Sequence, residues 1–317
     1  METTLSHKNH FKFGYNQIPF NFRISAMDKW WVSYGRCERP TFSFKDECLQ
    51  TAKQIQADAN QNVTVLFSGG ADSEVALQSF LLANIPVRAA ILRFKNDLNI
   101  HDISYAVIAC EKLGVPYYFF DLDLIKFWEN QLFEYANPTY CISPQLLTTM
   151  WLVDQVDEYP VLGSGECLLV KRIPNDYLPG ISPYEDSEWD LYEKEKIAAW
   201  YRHFIVKNRN GCPGFFQYNP EIILSYLLDP FVQRLTDNQI TGKLCTASSK
   251  LKIYQQHFDL IDRPKFSGFE KVQHEDSNFR KILTEAFPHA KETYMSNVQQ
   301  LKESMIYHDT TGNARIK

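Results

Sequence analysis

The chain lacks most of the marks by which a function is ordinarily read from sequence. Its seven cysteines, Cys37, Cys48, Cys110, Cys141, Cys167, Cys212 and Cys245, are scattered and contain no CxxC pair. That excludes a zinc ribbon, an iron–sulfur site or a disulfide framework. It suits a reducing cytoplasm, with the thiols packed as small hydrophobes. No run approaches the ~18 apolar residues that span a bilayer, and residues 1–10 are polar, without the apolar centre of a secretory signal. Excess positive charge is also missing: the formal net charge is −5, which gives no bulk attraction to nucleic acid or to an anionic membrane. There is no internal repeat and no low-complexity tract.

The 317 residues, 44% hydrophobic and 14% aromatic, suffice for a sizeable core in one large domain or two smaller ones. Residues 11–36 read as short strands or an irregular cap, and 44–59 as a helix with Cys48, Ala52, Ile55 and Ala59 on one face. Short β-rich runs follow at 63–67, 87–94, 115–120 and 159–162. Helical patterns at 74–82, 102–113 and 143–156 lie between them, with Gly114 closing the second helix and Ser143-Pro144 opening the third. Strands alternating with helices imply an α/β fold: a parallel sheet of about five strands with 63–67 central and helices on both faces. Residues 185–209, 221–235 and 278–307 read as helices. The expected organisation is a cap at 1–43, an α/β core at 44–174, and a mostly helical region at 175–317 that completes the site.

The most informative segment joins the first core strand to its helix: Ser68-Gly69-Gly70-Ala71-Asp72-Ser73. Two glycines let successive N–H groups turn inward as an anion nest, with Gly70 expected at positive φ, and the following helix adds its positive end. Ser68 and Ser73 can donate hydroxyls to phosphate. Asp72 would repel phosphate unless a cation lay between them, which makes it a candidate Mg²⁺ ligand. A helix N-cap role for Asp72 or Ser73 is the plain structural alternative. The segment has neither the Gly-Lys-Ser/Thr of a Walker loop nor the GxGxxG of a dinucleotide fold.

SGGADS resembles the SGGxDS loop of the PP-loop ATP pyrophosphatases, whose sheet is of the Rossmann-like HUP type. Further segments resemble the synthetase domain of asparagine synthetase and its β-lactam synthetase relatives. These are the helix at 44–55, Asp102-Ile103-Ser104-Tyr105-Ala106 with Lys112-Leu113-Gly114, and Leu162-Gly163-Ser164-Gly165-Glu166. The last is the block from Ser249-Lys250-Leu251-Lys252-Ile253-Tyr254 to Arg263-Pro264-Lys265-Phe266-Ser267-Gly268-Phe269. The resemblance implies an ATP-dependent ligase that releases AMP and pyrophosphate and adenylates a carboxylate or carbonyl oxygen for attack by an amine. It implies ATP and Mg²⁺ as cofactors. Ser68, Gly69, Gly70, Asp72, Ser73, Leu92 and Gly165 fall at nucleotide-binding positions, Asp72 at the metal, and Glu166 and Lys250 at catalytic ones, with Lys252 an alternative register for the lysine.

Three departures stand out. No segment resembles the family's glutaminase domain, so the amine or ammonia is expected from a small molecule or from a separate ammonia-supplying partner. Leu169 occupies the place of the second metal carboxylate, and Tyr254 that of an arginine. They keep open two alternatives: an enzyme of nucleoside or tRNA modification (7-deazaguanine or thiolation type), which the net charge disfavours, and a catalytically weakened nucleotide-binding protein. Arg263 and Lys265 are candidates to close over the site. Lys171 and Arg172 read as surface charge, Asp102 as a helix N-cap, Cys167 as a core residue, and Trp30, Trp31 and Tyr34 as core packing rather than a base-stacking platform.

Overall fold

A computed structural model describes residues 10–171, 186–234, 247–264, 266–288, 290 and 292–308. Three short strands come first: β1 (Lys12–Tyr15), β2 (Ile18–Pro19) and β3 (Trp30–Ser33), an antiparallel sheet in the order β2-β1-β3. The α/β body then runs α1 (Phe44–Ala59), β4 (Val63–Leu66), α2 (Ala71–Leu82), β5 (Val87–Phe94), α3 (Ile100–Leu113), β6 (Tyr117–Leu122), α4 (Leu124–Ala136), α5 (Pro144–Gln155) and β7 (Tyr159–Leu162). After it come β8 (Leu169–Lys171), β9 (Trp189–Lys194), α6 (Glu195–Val206), α7 (Pro220–Leu227), α8 (Ala247–Tyr254), α9 (Gln273–Ala286), β10 (Thr293–Asn297) and α10 (Val298–Met305).

The central sheet is parallel, in the order β6-β5-β4-β7, so β4 is an inner strand with Val63 opposite both Val87 and Tyr159. All four residues of β4 are buried, as a strand covered on both faces requires. Side-chain alternation divides the sheet between two cores. Val63 and Val65 pack with α1, α2 and α3 through Ile55, Leu77 and Ala106, whereas Leu66, Ala90 and Leu162 pack with α5 and α6 through Val153 and Phe204. The N-terminal sheet joins the second core, where Trp30 and Val32 are buried; Trp31 is buried as well. The six described cysteines are free and buried.

The α/β class and the parallel sheet agree with the sequence reading, and several details differ. Among the described residues the sheet has four strands rather than about five: beyond β7 the pairing continues only as a single parallel bridge from Val161 to Cys212, and β8 joins an antiparallel sheet in the order β10-β9-β8. Of the stretch read as a helix at 185–209, Trp189–Lys194 is the strand β9, with Trp189 and Leu191 in the core, and Glu195–Val206 is α6. Residues 293–297 are likewise a strand, pairing Met295 with Tyr192, in a stretch read as helix. Helix α7 ends at Leu227, three residues short of Pro230, whose ring and missing N–H disfavour continuation. No helix among the described residues is long and apolar enough to cross a membrane.

One buried ion pair ties the late segment to the body. Arg263 bonds Glu74 of α2, with side-chain exposures of 8% and 1%. Glu74 also accepts from Ile261 N at 3.2 Å and from Gln78 Nε2 at 3.1 Å. Removing Arg263 alone strands a buried carboxylate. Arg263→Met is therefore expected to lower the unfolding free energy in urea by about 3–5 kcal/mol. The double change with Glu74→Gln should recover much of the loss. Equal losses in the single and double variants would show that the pair is not coupled.

Candidate active site

The site grows from the carboxyl end of β4. Phe67 N still donates to Ala90 O at 2.8 Å, after which the chain turns. Gly69, at φ +77, makes the left-handed step; Gly70, expected there, has φ −80 and is the N-cap residue of α2. A Cβ at Gly69 would sit 2.9 Å from the Asp102 carbonyl oxygen and 3.2 Å from Ala106 N, so α3 presses on the loop there, while one at Gly70 would meet only the Ser68 hydroxyl at 3.2 Å. Helix α2 begins at Ala71, three residues earlier than its apolar pattern suggests, which puts Asp72 and Ser73 inside the first turn rather than at the cap. No side chain caps the helix, so its positive N-terminus is open to an anion. Ser68 Oγ accepts from Gly70 N at 3.2 Å and lies 3.2 Å from Ser73 Oγ, which itself donates to Gly70 O at 2.9 Å.

A second loop, after β7, packs directly against this turn. A Cβ at Gly163 would lie 2.5 Å from Ser73 Cα, so the two backbones touch. Gly165 is left-handed, at φ +81, with no room for a side chain beside Gln217, and Glu166 follows it.

Helix α8 closes the site. Lys250, only 6% exposed, donates from Nζ to Asp72 Oδ2 at 2.8 Å and to Glu166 Oε1 at 3.1 Å. Tyr254, one turn on, donates to Asp72 Oδ1 at 3.0 Å. Its ring is stacked between Phe44 and Phe216, with centroids 5.9 and 5.6 Å away. Burial alone would lower the Lys250 pKa, but the charges of Asp72 and Glu166 outweigh it and push the ammonium up. Burial raises the Glu166 carboxyl; Lys250 opposes this and Asp72 reinforces it. Lys252 is exposed, so of the two lysines it is Lys250 that reaches the carboxylates.

Beside the loop lies a cavity of about 230 Å³ lined by Ser68, Ile91, Leu92, Asp102, Gln145, Thr148, Leu152 and the turn Ser267-Gly268-Phe269, among others. Leu92 is on the wall of this space. Asp102 is not a helix N-cap: Asn99 occupies that position, and Asp102 faces the cavity from the first turn of α3. A buried network on the far side of Glu166 was not marked by any motif. Glu193 of β9 accepts from Tyr34 Oη and Gln217 Nε2, each at 2.7 Å, and Gln217 Oε1 accepts from Tyr201 Oη at 2.8 Å. Burial, reinforced by the Glu166 charge, lifts the Glu193 pKa to about 8 against those hydrogen bonds. The period-2 run of β9 was the available clue.

Other candidates lie elsewhere. Arg263 is held by Glu74 rather than free to cover the loop. Cys167 and Leu169 are buried, and Leu169 faces the core from β8. Tyr34 is a core-edge residue bonded to Glu193. Arg172, Lys265, Cys245 and the side chain of Lys171 lie outside the described residues. Among the described residues no three His, Cys, Asp or Glu side chains converge as a metal cage. Magnesium commonly takes one or two carboxylates and fills its shell with phosphate oxygens and water. Asp72, with 26% of its side chain exposed beside the loop, suits that kind of site.

No family model matches the chain. No curated protein matches it either. Among solved structures, the NMN synthetase of Francisella tularensis aligns over 71% of this chain and 100% of its own, with 16% identity and a TM-score of 0.30. A glutamine-dependent NAD+ synthetase from Acinetobacter baumannii, in complex with ADP, aligns over 44% of this chain at 14% identity and a TM-score of 0.28; the alignment spans 31% of that synthetase.

Two outcomes follow from the loop and the network. Gly69→Ala should destabilise by about 1–2 kcal/mol for the left-handed backbone alone, with the α3 contact adding to it, while Gly70→Ala stays near wild type in thermal unfolding; equal effects would contradict the loop geometry. Glu193 should make stability fall with rising pH. Its folded pKa lies above the ordinary 4.5, so its contribution is complete below pH 4.5 and is lost as pH rises through about 8. Urea midpoints of wild type should decline across that window more than those of Glu193→Gln, which stays neutral; parallel curves would refute it.

Proposed function

We propose that this chain is an ATP-using enzyme of the PP-loop type, which releases AMP and pyrophosphate while activating a carboxylate or carbonyl oxygen for attack by an amine. One observation carries the reading. The glycine turn and uncapped helix at residues 68–73 share Ser68 with a nucleoside-sized cavity and, through Asp72 of the helix, meet a buried ammonium that also touches Glu166 of the second loop.

The chemistry follows from placement. The cavity accepts the nucleoside, and the loop N–H groups with the Ser68 and Ser73 hydroxyls hold the phosphates that leave as pyrophosphate. Lys250 offers a fixed, desolvated positive charge for the oxygens of the reacting α-phosphorus, at no reorganisation cost during the reaction. Glu166, bonded to Lys250 and close to neutral Glu193, orients the amine and takes its proton. Magnesium held on Asp72 and the phosphates would neutralise charge on the departing pyrophosphate. The resemblance of the later segments to asparagine synthetase favours C–N bond formation from a small carboxylate, with amine or ammonia arriving from a small molecule or from a separate protein. Leu169, buried in β8 where that family carries a second metal carboxylate, supports a second reading: a nucleotide-binding protein with little turnover.

Incubation with α-labelled ATP, Mg²⁺ and a pool of small carboxylates and amines distinguishes them. The enzyme reading expects labelled AMP; ADP, or no turnover with ATP bound, would sink it. Asp72→Asn should abolish turnover, with raised Mg²⁺ restoring part of it. Lys250→Ala should keep ATP binding but lose on the order of 10²–10³ in the rate of pyrophosphate release. Glu166→Gln should still exchange labelled pyrophosphate into ATP without forming final product.

A further inference from the structure

We propose that Asp102 is the ribose-recognising residue of the nucleotide site, its carboxylate accepting a hydrogen bond from a ribose hydroxyl. The inference rests on the nucleotide reading above and specifies one residue within it.

Three observations converge on this carboxyl. The first is its place. The Asp102 carbonyl lies against Gly69, and Ser68 and Asp102 both line the cavity, so Asp102 stands at the end nearest the phosphate loop. The wall also contains Leu66, Ile91, Leu92 and Leu152, an apolar surface suited to the flat face of a base. In a nucleotide the ribose is joined directly to the phosphates, so a group beside the loop meets the sugar before the base.

The second is its lack of a partner. Among the described residues no donor meets the Asp102 carboxyl. Asn99 is spent on Phe94 N and Leu92 O, at 2.8 and 2.9 Å. His101 is bonded to Glu270 at 2.8 Å, and Arg263 gives Nη2 to Glu74, while its Nη1 meets no acceptor, Asp102 included. Burial pushes the Asp102 pKa up to about 6, with His101 lowering it, Glu270 raising it and Arg263 lowering it. The carboxyl lines the cavity, where a ligand hydroxyl can donate to it in place of solvent.

The third is the fit of the late block over it. Glu270 accepts from Ser267 N and Ser267 Oγ, at 2.5 and 2.9 Å, and from His101, which fastens the turn at Gly268 onto α3. A Cβ at Gly268 would lie 2.9 Å from Asp102 Oδ2, and Gly268 is left-handed, at φ +77. The glycine therefore leaves the carboxylate oxygen uncovered where any other residue would press on it. An acidic side chain accepting from a ribose hydroxyl is a general solution in nucleotide-binding folds.

The test measures equilibrium binding of ATP, 2′-deoxy-ATP and 3′-deoxy-ATP to wild type, Asp102→Asn and Asp102→Ala, with thermal unfolding as the check on fold. Wild type should bind ATP roughly tenfold to a hundredfold more tightly than at least one deoxy analogue. Asp102→Ala should weaken ATP to the level of that analogue and leave the analogue's own affinity unchanged. Asp102→Asn, isosteric and still an acceptor, should retain part of the preference. Wild type binding all three nucleotides alike would overturn the assignment while leaving the nucleotide reading intact. So would an Asp102→Ala variant that loses the same factor for all three. Wild type binding none of them would overturn the nucleotide reading and this inference with it.

Discussion

The bridge from Lys250 to Asp72 and Glu166 is the interaction on which the site depends. Each partner comes from a different part of the chain: Asp72 from the first turn of α2, Glu166 from the loop after β7, and Lys250 from α8. A buried ammonium is unfavourable by itself, and two converging carboxylates are unfavourable by themselves. Together they offset one another, and so the three segments share one geometry. Tyr254 adds a second bond to Asp72 from the same helix, and its ring is clamped by Phe44 and Phe216, which ties the cluster to α1 and to the segment before α7. The aromatic clamp limits how far α8 can shift without breaking the bridge.

Backbone proximity makes this convergence attainable. Gly163 lets the second loop touch the first turn of α2, and Gly69 lets α3 touch the loop after β4. Both contacts are closer than a side chain permits. Parallel pairing of β4 with β5 and β7 brings the carboxyl ends of three strands to one edge, where an α/β sheet opens a crevice for a ligand. The cavity is lined by Ser68 at the start of the loop, and the charged cluster holds Asp72 in the helix that follows it.

Around this centre, charges are fixed by burial rather than exposed to solvent. Glu74 is taken by Arg263, and Glu193 is kept close to neutral by burial and by the Glu166 charge. A protonated Glu193 lets Glu166 stay near Lys250 without a third negative charge in the same low-dielectric volume. Arg263 joins the late segment to α2, and Glu270 joins it to α3 through His101.

The local pattern of residues determined a good deal. Four apolar runs separated by helical periodicity fixed a parallel α/β sheet, because a strand buried on both faces reads as a continuous apolar run. Ser-Gly-Gly-x-Asp-Ser marked the loop, since few residue types tolerate that turn. Helix 44–59 was legible to the residue, with Ser43 as its cap. The tertiary structure decided the rest. Which glycine turns left depended on α3 pressing against Gly69, a contact some thirty residues away in sequence that no local pattern records. The residues at 293–297 became a strand because β9 offered an edge to pair with. Lys250 rather than Lys252 met the carboxylates because α8 turns that face inward, and Glu193 acquired its environment from Tyr34, 159 residues before it, and Gln217, 24 residues after it. Periodicity reports what a segment buries; only the folded contacts report what it is buried against.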